Sequence, residues 1–164
     1  MTKRGTRQKL GFTLIEALVY VSISSVLLVV ITSLGYNVFV NRQKVLAGEE
    51  IIENANLVFA RIEHSIRGAE SIILPIDSGS ELSLEVAGVL LNPTRFYLDG
   101  STIFFAEGTG SGTAITTNSI EVTSLNFLKL INDISGISIN VTMTLASSRA
   151  GVSTELSSSF NLPR

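Results

Sequence analysis

The 164-residue chain has no cysteine, a single histidine and three prolines. The absence of cysteine excludes disulfides, thiolate metal sites and a cysteine nucleophile. A domain folded from this chain therefore relies on its packed core. With His64 as its one imidazole, a histidine-based metal cluster is ruled out. Proline is missing from residue 12 to residue 74, so nothing in that stretch forces a helix to break. Basic charge is also scarce in the second half. Residues 69–164 hold four bases (Arg95, Lys129, Arg149, Arg164) against nine acids. A domain of that sign repels phosphate backbones at long range, which argues against direct nucleic-acid binding.

The N-terminus has what the rest lacks. Residues 1–11 carry Lys3, Arg4, Arg7 and Lys9 and no acid. Phe12 to Val40 then runs almost without charge, and as a helix its length would be roughly 43 Å. That exceeds the ~30 Å hydrocarbon core of a bilayer. The run is too long for the apolar part of a secretory signal, about 7–15 residues, and no small-x-small cleavage site follows it. The basic leader is expected to stay in the cytoplasm and direct the remainder across the membrane.

Glu16 is the one charged residue between Gly11 and Arg42. A carboxylate at the centre of a membrane helix costs about 2.5–3.5 kcal/mol, and less near its end. One reading places Glu16 passively at the interface. The other gives it a partner in an assembled state, the default hypothesis for an intramembrane acid.

Gly11-Phe12-Thr13-Leu14-Ile15-Glu16, with the basic leader before it and the apolar run after it, resembles the processing motif of type IV prepilins and type II secretion pseudopilins. Leu10 departs from the pattern, because a basic residue is common there, though Lys9 stands one position back. The resemblance implies cleavage between Gly11 and Phe12 by a prepilin peptidase and N-methylation of Phe12. It also implies a role for the Glu16 carboxylate in attracting the new ammonium of a neighbouring subunit. The implied partners are the peptidase, other pilins or pseudopilins, an assembly platform protein and an ATPase. The implied location is the cytoplasmic membrane, followed by a filament outside the cytoplasm.

Beyond the membrane run, apolar residues at 45, 52, 55, 59, 62 and 66 suggest an amphipathic stripe that continues the helix to Arg67. Such a helix would be ~84 Å long. Gly35 and Gly48 are soft points in it, and Gly68 is a stop signal. The period then changes to two. Strands are expected over Glu70–Leu74, Glu81–Leu91, Thr94–Leu98, Thr102–Ala106, Ile120–Leu130, Ile137–Leu145 and Ser153–Asn161, with Asp99-Gly100 as a hairpin turn. Gly108–Asn118 reads as a loop. The fold class is α+β, a long N-terminal helix packed on an antiparallel sheet. Its parts are a leader 1–11, a membrane or filament-core helix 12–40, an amphipathic continuation 41–68 and a β-rich domain 69–164.

The β-rich part offers little chemistry. GTGSG at 108–112 lacks the spacing and the following helix of a phosphate loop. Asp77, Asp99 and Asp133 fall in separate turns, without calcium-loop spacing. His64 and the Arg61–Arg67 segment with Glu63 read as solvated helix surface. The Ser/Thr-rich stretches 109–124 and 153–159 read as solvent-facing strand or loop rather than glycosylation sites. No catalytic residue, cofactor or metal is expected, and the chain reads as a structural subunit, not an enzyme. The segment Ile66-Arg67-Gly68-Ala69 and the late alternating strand resemble minor pilins and J-type pseudopilins, which implies a tip or initiating subunit. The alternative is a single-pass anchored extracytoplasmic binding domain that never polymerises. Glu16 and the LGFTLIE sequence weigh against it.

Overall fold

The computed structural model describes residues 12–132 and 136–163. The leader with Gly11 and the turn residue Asp133 lie outside them. The chain divides into two compact units, Met1–Arg42 and Gln43–Arg164. The helix α1 (Leu14–Arg67) supplies both.

In the first unit α1 is apolar on all sides, and an 18-residue window of it has a mean hydropathy of 2.5 with none of it buried. Four of its polar side chains bond to the helix itself. Ser22 Oγ donates to the Val19 carbonyl at 2.8 Å, Ser25 Oγ to that of Ser22 at 2.8 Å and Thr32 Oγ1 to that of Leu28 at 2.8 Å. Asn37 Nδ2 donates to the Ser33 carbonyl at 3.0 Å. A hydroxyl used in this way leaves no donor unsatisfied in hydrocarbon, and the Asn37 amide satisfies one of its two.

In the second unit α1 buries Ala47, Ile51, Asn54, Ala55, Val58, Ile62 and Ile66. Steps of three and four keep these on one face. The stripe is thus phased differently from the one inferred from sequence. Ala55, Ile62 and Ile66 belong to it and Phe59 lies at its margin, but Val45 and Ile52 point to solvent. Ala47, Ile51 and Val58 take the buried places expected of Val45 and Ile52, a choice made by packing between residues of similar apolarity.

Among the described residues nine strands follow: β1 (Ala69–Leu74), β2 (Ser78–Gly79), β3 (Glu81–Val86), β4 (Thr94–Asp99), β5 (Thr102–Glu107), β6 (Thr113–Ala114), β7 (Ile120–Asn132), β8 (Gly136–Ser147) and β9 (Ser153–Asn161). They form two antiparallel sheets where the sequence suggested one. The order is β1-β3-β4-β5-β6 in the first and β2-β7-β8-β9 in the second. Asp99 pairs with Thr102, so Gly100 and Ser101 make a two-residue hairpin. Gly100, at φ 60°, takes the first central position, which a type II′ turn reserves for glycine. β3 stops at Val86 rather than Leu91, and residues 89–91 form a turn.

β8 buries Ile139, Val141, Met143 and Leu145, as strict alternation requires. β7 carries a bulge between Val122 and Ser124. The bulge moves its inward positions from Ile120 and Val122 to Leu125 and Phe127. These residues join the helix stripe, Leu82, Leu84, Phe96 and Ile103 in one core.

The helix is also tied to the 115–119 connection by polar groups. Asn54 is buried, donates Nδ2 to the Glu50 carbonyl at 2.9 Å and accepts the Thr117 N–H on Oδ1 at 3.0 Å. Ser119 Oγ donates to the Glu50 carboxylate.

Candidate functional site: the start of the apolar helix

Phe12 precedes the helix and is 71% exposed. Its ring packs on Tyr20, with centroids 5.7 Å apart and planes inclined at 45°. Thr13 is the N-cap. Its carbonyl accepts the Ala17 N–H at 3.2 Å and its Oγ1 accepts the Glu16 N–H at 3.3 Å. Thr13-Leu14-Ile15-Glu16 therefore has the sequence and the forward bond of a capping box, which starts a helix cleanly. The sequence reading overlooked Thr13, although the T-x-x-E spacing was visible.

The cap places Glu16 at the third helical position, exposed and in the first turn. The unpaired amides there amount to about half a positive charge, and a carboxylate beside them is stabilised by ~0.3–1 kcal/mol. The burial cost weighed at sequence level is therefore partly offset within the chain itself. The carboxylate still lacks a full countercharge of its own among the described residues, and it sits four residues from the position that would carry a new ammonium if the chain began at Phe12.

The other residues singled out in the sequence lie apart from this site. His64 is exposed on α1, and Glu63 pairs with Arg67 at 2.5 Å on the surface. Such an exposed pair contributes little. In the GTGSG segment the Gly108 N–H donates to the Pro93 carbonyl at 3.0 Å and that of Gly110 to Glu107 at 3.0 Å, so these amides hold a turn. The Asp77 carbonyl accepts the Lys129 N–H at 2.7 Å, while Asp99 closes the β4–β5 hairpin. Among the described residues, no three acidic or histidine side chains gather as a metal site would require. In β9, Ser153, Ser157 and Ser159 alternate outward with Glu155.

Residues 6–32 match the prokaryotic N-terminal methylation motif, the class III signal of type IV pilins. The match spans Arg7 and Lys9, the Gly11-Phe12 pair and the first half of the apolar run. Neither a curated protein nor a solved structure matches the chain.

Proposed function

We propose that the chain is a prepilin whose mature form is a structural, non-catalytic subunit of a type IV pilus or a related secretion or competence pseudopilus. The methylation motif at residues 6–32 carries this reading. A prepilin peptidase cuts between Gly11 and Phe12 on the cytoplasmic side and methylates the Phe12 amine. The product is a capped, fully apolar helix with an ammonium at its tip and a carboxylate in its first turn.

Such an end is suited to assembly. Two unit charges 4 Å apart attract by ~4 kcal/mol at an effective dielectric of 20. Desolvation cancels part of that. The contact between Glu16 of one subunit and the Phe12 ammonium of the next is thus a device for register. Cohesion comes from the apolar surface of α1 before Arg42, which none of the described residues buries. Within this reading we assign the chain to a minor position, at the tip of the filament or at its initiation, on the Ile66-Arg67-Gly68-Ala69 helix end and the late alternating strand.

The experiment is Glu16→Ala in the full chain, co-expressed with peptidase and assembly machinery. Processing at Phe12 is expected to persist, while incorporation into filaments falls at least tenfold. Undiminished incorporation removes Glu16 from assembly. If neither the parent nor the variant ever enters a filament although both are processed, the chain is an anchored domain that does not polymerise.

A further inference from the structure

The unit Gln43–Arg164 has two apolar features that its core does not use. One is convex. The turn between β3 and β4 presents Val89 at 91% and Leu90 at 89% exposure. The turn is held firmly. The Leu91 N–H donates to the Gly88 carbonyl at 2.8 Å, and Thr94 Oγ1 donates to the Leu91 carbonyl at 3.0 Å. Gly108 packs so closely beneath it that a Cβ there would lie 2.3 Å from the Leu90 carbonyl oxygen. The backbone that carries these two aliphatic side chains is thus ordered before any partner arrives, which lowers the cost of binding.

The other feature is concave. A groove of about 690 Å³ runs between Leu57, Ala60, Arg61 and His64 of α1, Phe105 of β5 and Ile115, which follows β6. That volume is in the range of binding pockets, about 300–1,000 Å³, and is ample for two aliphatic side chains. The Arg61 guanidinium lies 4.3 Å above the Phe105 ring, which fixes it at the rim. No carboxylate pairs with it among the described residues.

The charges are opposed in the corresponding places. Glu107 is exposed and stands next to Gly108, the residue packed beneath the turn. An apolar tip with an acid at its base therefore matches an apolar floor with a cation at its rim. Because both features are on every copy, their union is heterologous. Contacts of this kind grow into open chains where the rotation does not close.

We propose that the Val89–Leu90 turn of one subunit docks in the Leu57–Phe105 groove of the next, with Glu107 meeting Arg61. The contact deepens the filament reading and rests on it, adding a junction between globular domains to the one between helices.

The absence of cysteine makes the test clean. The full chain is co-expressed with a prepilin peptidase and the assembly machinery, recovered with membranes and filaments and oxidised with copper phenanthroline. The double variant Leu90→Cys/Ala60→Cys is expected to give a ladder of dimers, trimers and higher species. A mixture of the two single variants should give dimers only, and each single variant alone should stay monomeric. Adding Arg61→Glu to the double variant should lower the ladder at least tenfold. All three positions are exposed, and circular dichroism of each variant checks the fold. No ladder, or cross-linking by Leu90→Cys alone, overturns the proposal, the second result pointing to a tip-to-tip contact. The N-terminal mass of the same sample separates the two levels. A chain that starts at Phe12 without a ladder sinks this contact alone. A full-length chain sinks the prepilin reading, while the gel still reports on the contact.

Discussion

Ile51 and Ile52 are adjacent, chemically identical and on the same helix, yet Ile51 is 0% exposed and Ile52 is 52% exposed. Truncating each to alanine therefore isolates the phase of the α1 stripe. Ile51→Ala removes buried carbon from a site walled by the sheets, where the loss of transfer energy and the residual cavity cost about 2–5 kcal/mol. Ile52→Ala forgoes burial of half a side chain and gains a few tenths of a kcal/mol in helix propensity, so its net cost is below about 1 kcal/mol. For a folding unit of about 120 residues the unfolding entropy is ~0.25 kcal/mol/K. A loss of about 3 kcal/mol then lowers Tm by ~12 °C, against under ~4 °C for Ile52→Ala. Thermal unfolding followed by circular dichroism, on dispersed full-length chain in detergent, measures both. Equal losses, or a larger one at Ile52, would refute the assignment of the buried face.

Three further substitutions test the supports of the sheets and the helix. Gly108→Ala has to fit a Cβ against the Leu90 carbonyl at a φ of 57° and is expected to cost ~2–4 kcal/mol, whereas Gly151→Ala, at φ 61° in open space, costs only the ~1–2 kcal/mol of the left-handed conformation. Indistinguishable urea midpoints for the two variants would contradict the close approach. Asn54→Ala leaves the Thr117 N–H without its acceptor and is expected to cost about 1–2 kcal/mol after the gain in helix propensity. Hydrogen exchange at Thr117 should speed up well beyond that at Val141 in the core, and an unchanged Thr117 rate would dismiss the link.

What the sequence revealed followed the strength of the periodic signal. The long helix was legible because fifty residues without proline carry apolar residues at helical spacing. The clean alternation of β8 and the Asp99-Gly100 hairpin were legible for the same kind of reason. The phase of the stripe was not, since Val45 and Ile52 are as apolar as the residues that are buried and only packing separates them. β2 and β6, at two residues each, are too short to show a period. The β3 reading ran on through Val89–Leu91 because those residues suit a strand. They are exposed because the Gly88 turn lifts them off the sheet. The division into two sheets depends on which strands pair, which no local pattern encodes.

The candidate site was legible in its chemistry and not in its geometry. Glu16 stood out as a charge in an apolar run. That Thr13 caps the helix and sets Glu16 in its first turn emerged only with the backbone in place. The cap changes the energetic reading, because the helix terminus itself stabilises the carboxylate before any neighbour arrives.

The central claim is that this chain is a prepilin, and the intact mass of the protein after co-expression with a prepilin peptidase tests it most directly. The account predicts a chain that begins at Phe12, carrying one added methyl group on its amine, and unprocessed protein when the peptidase is omitted. A full-length chain in both samples, or a cut beyond Val40, would contradict it.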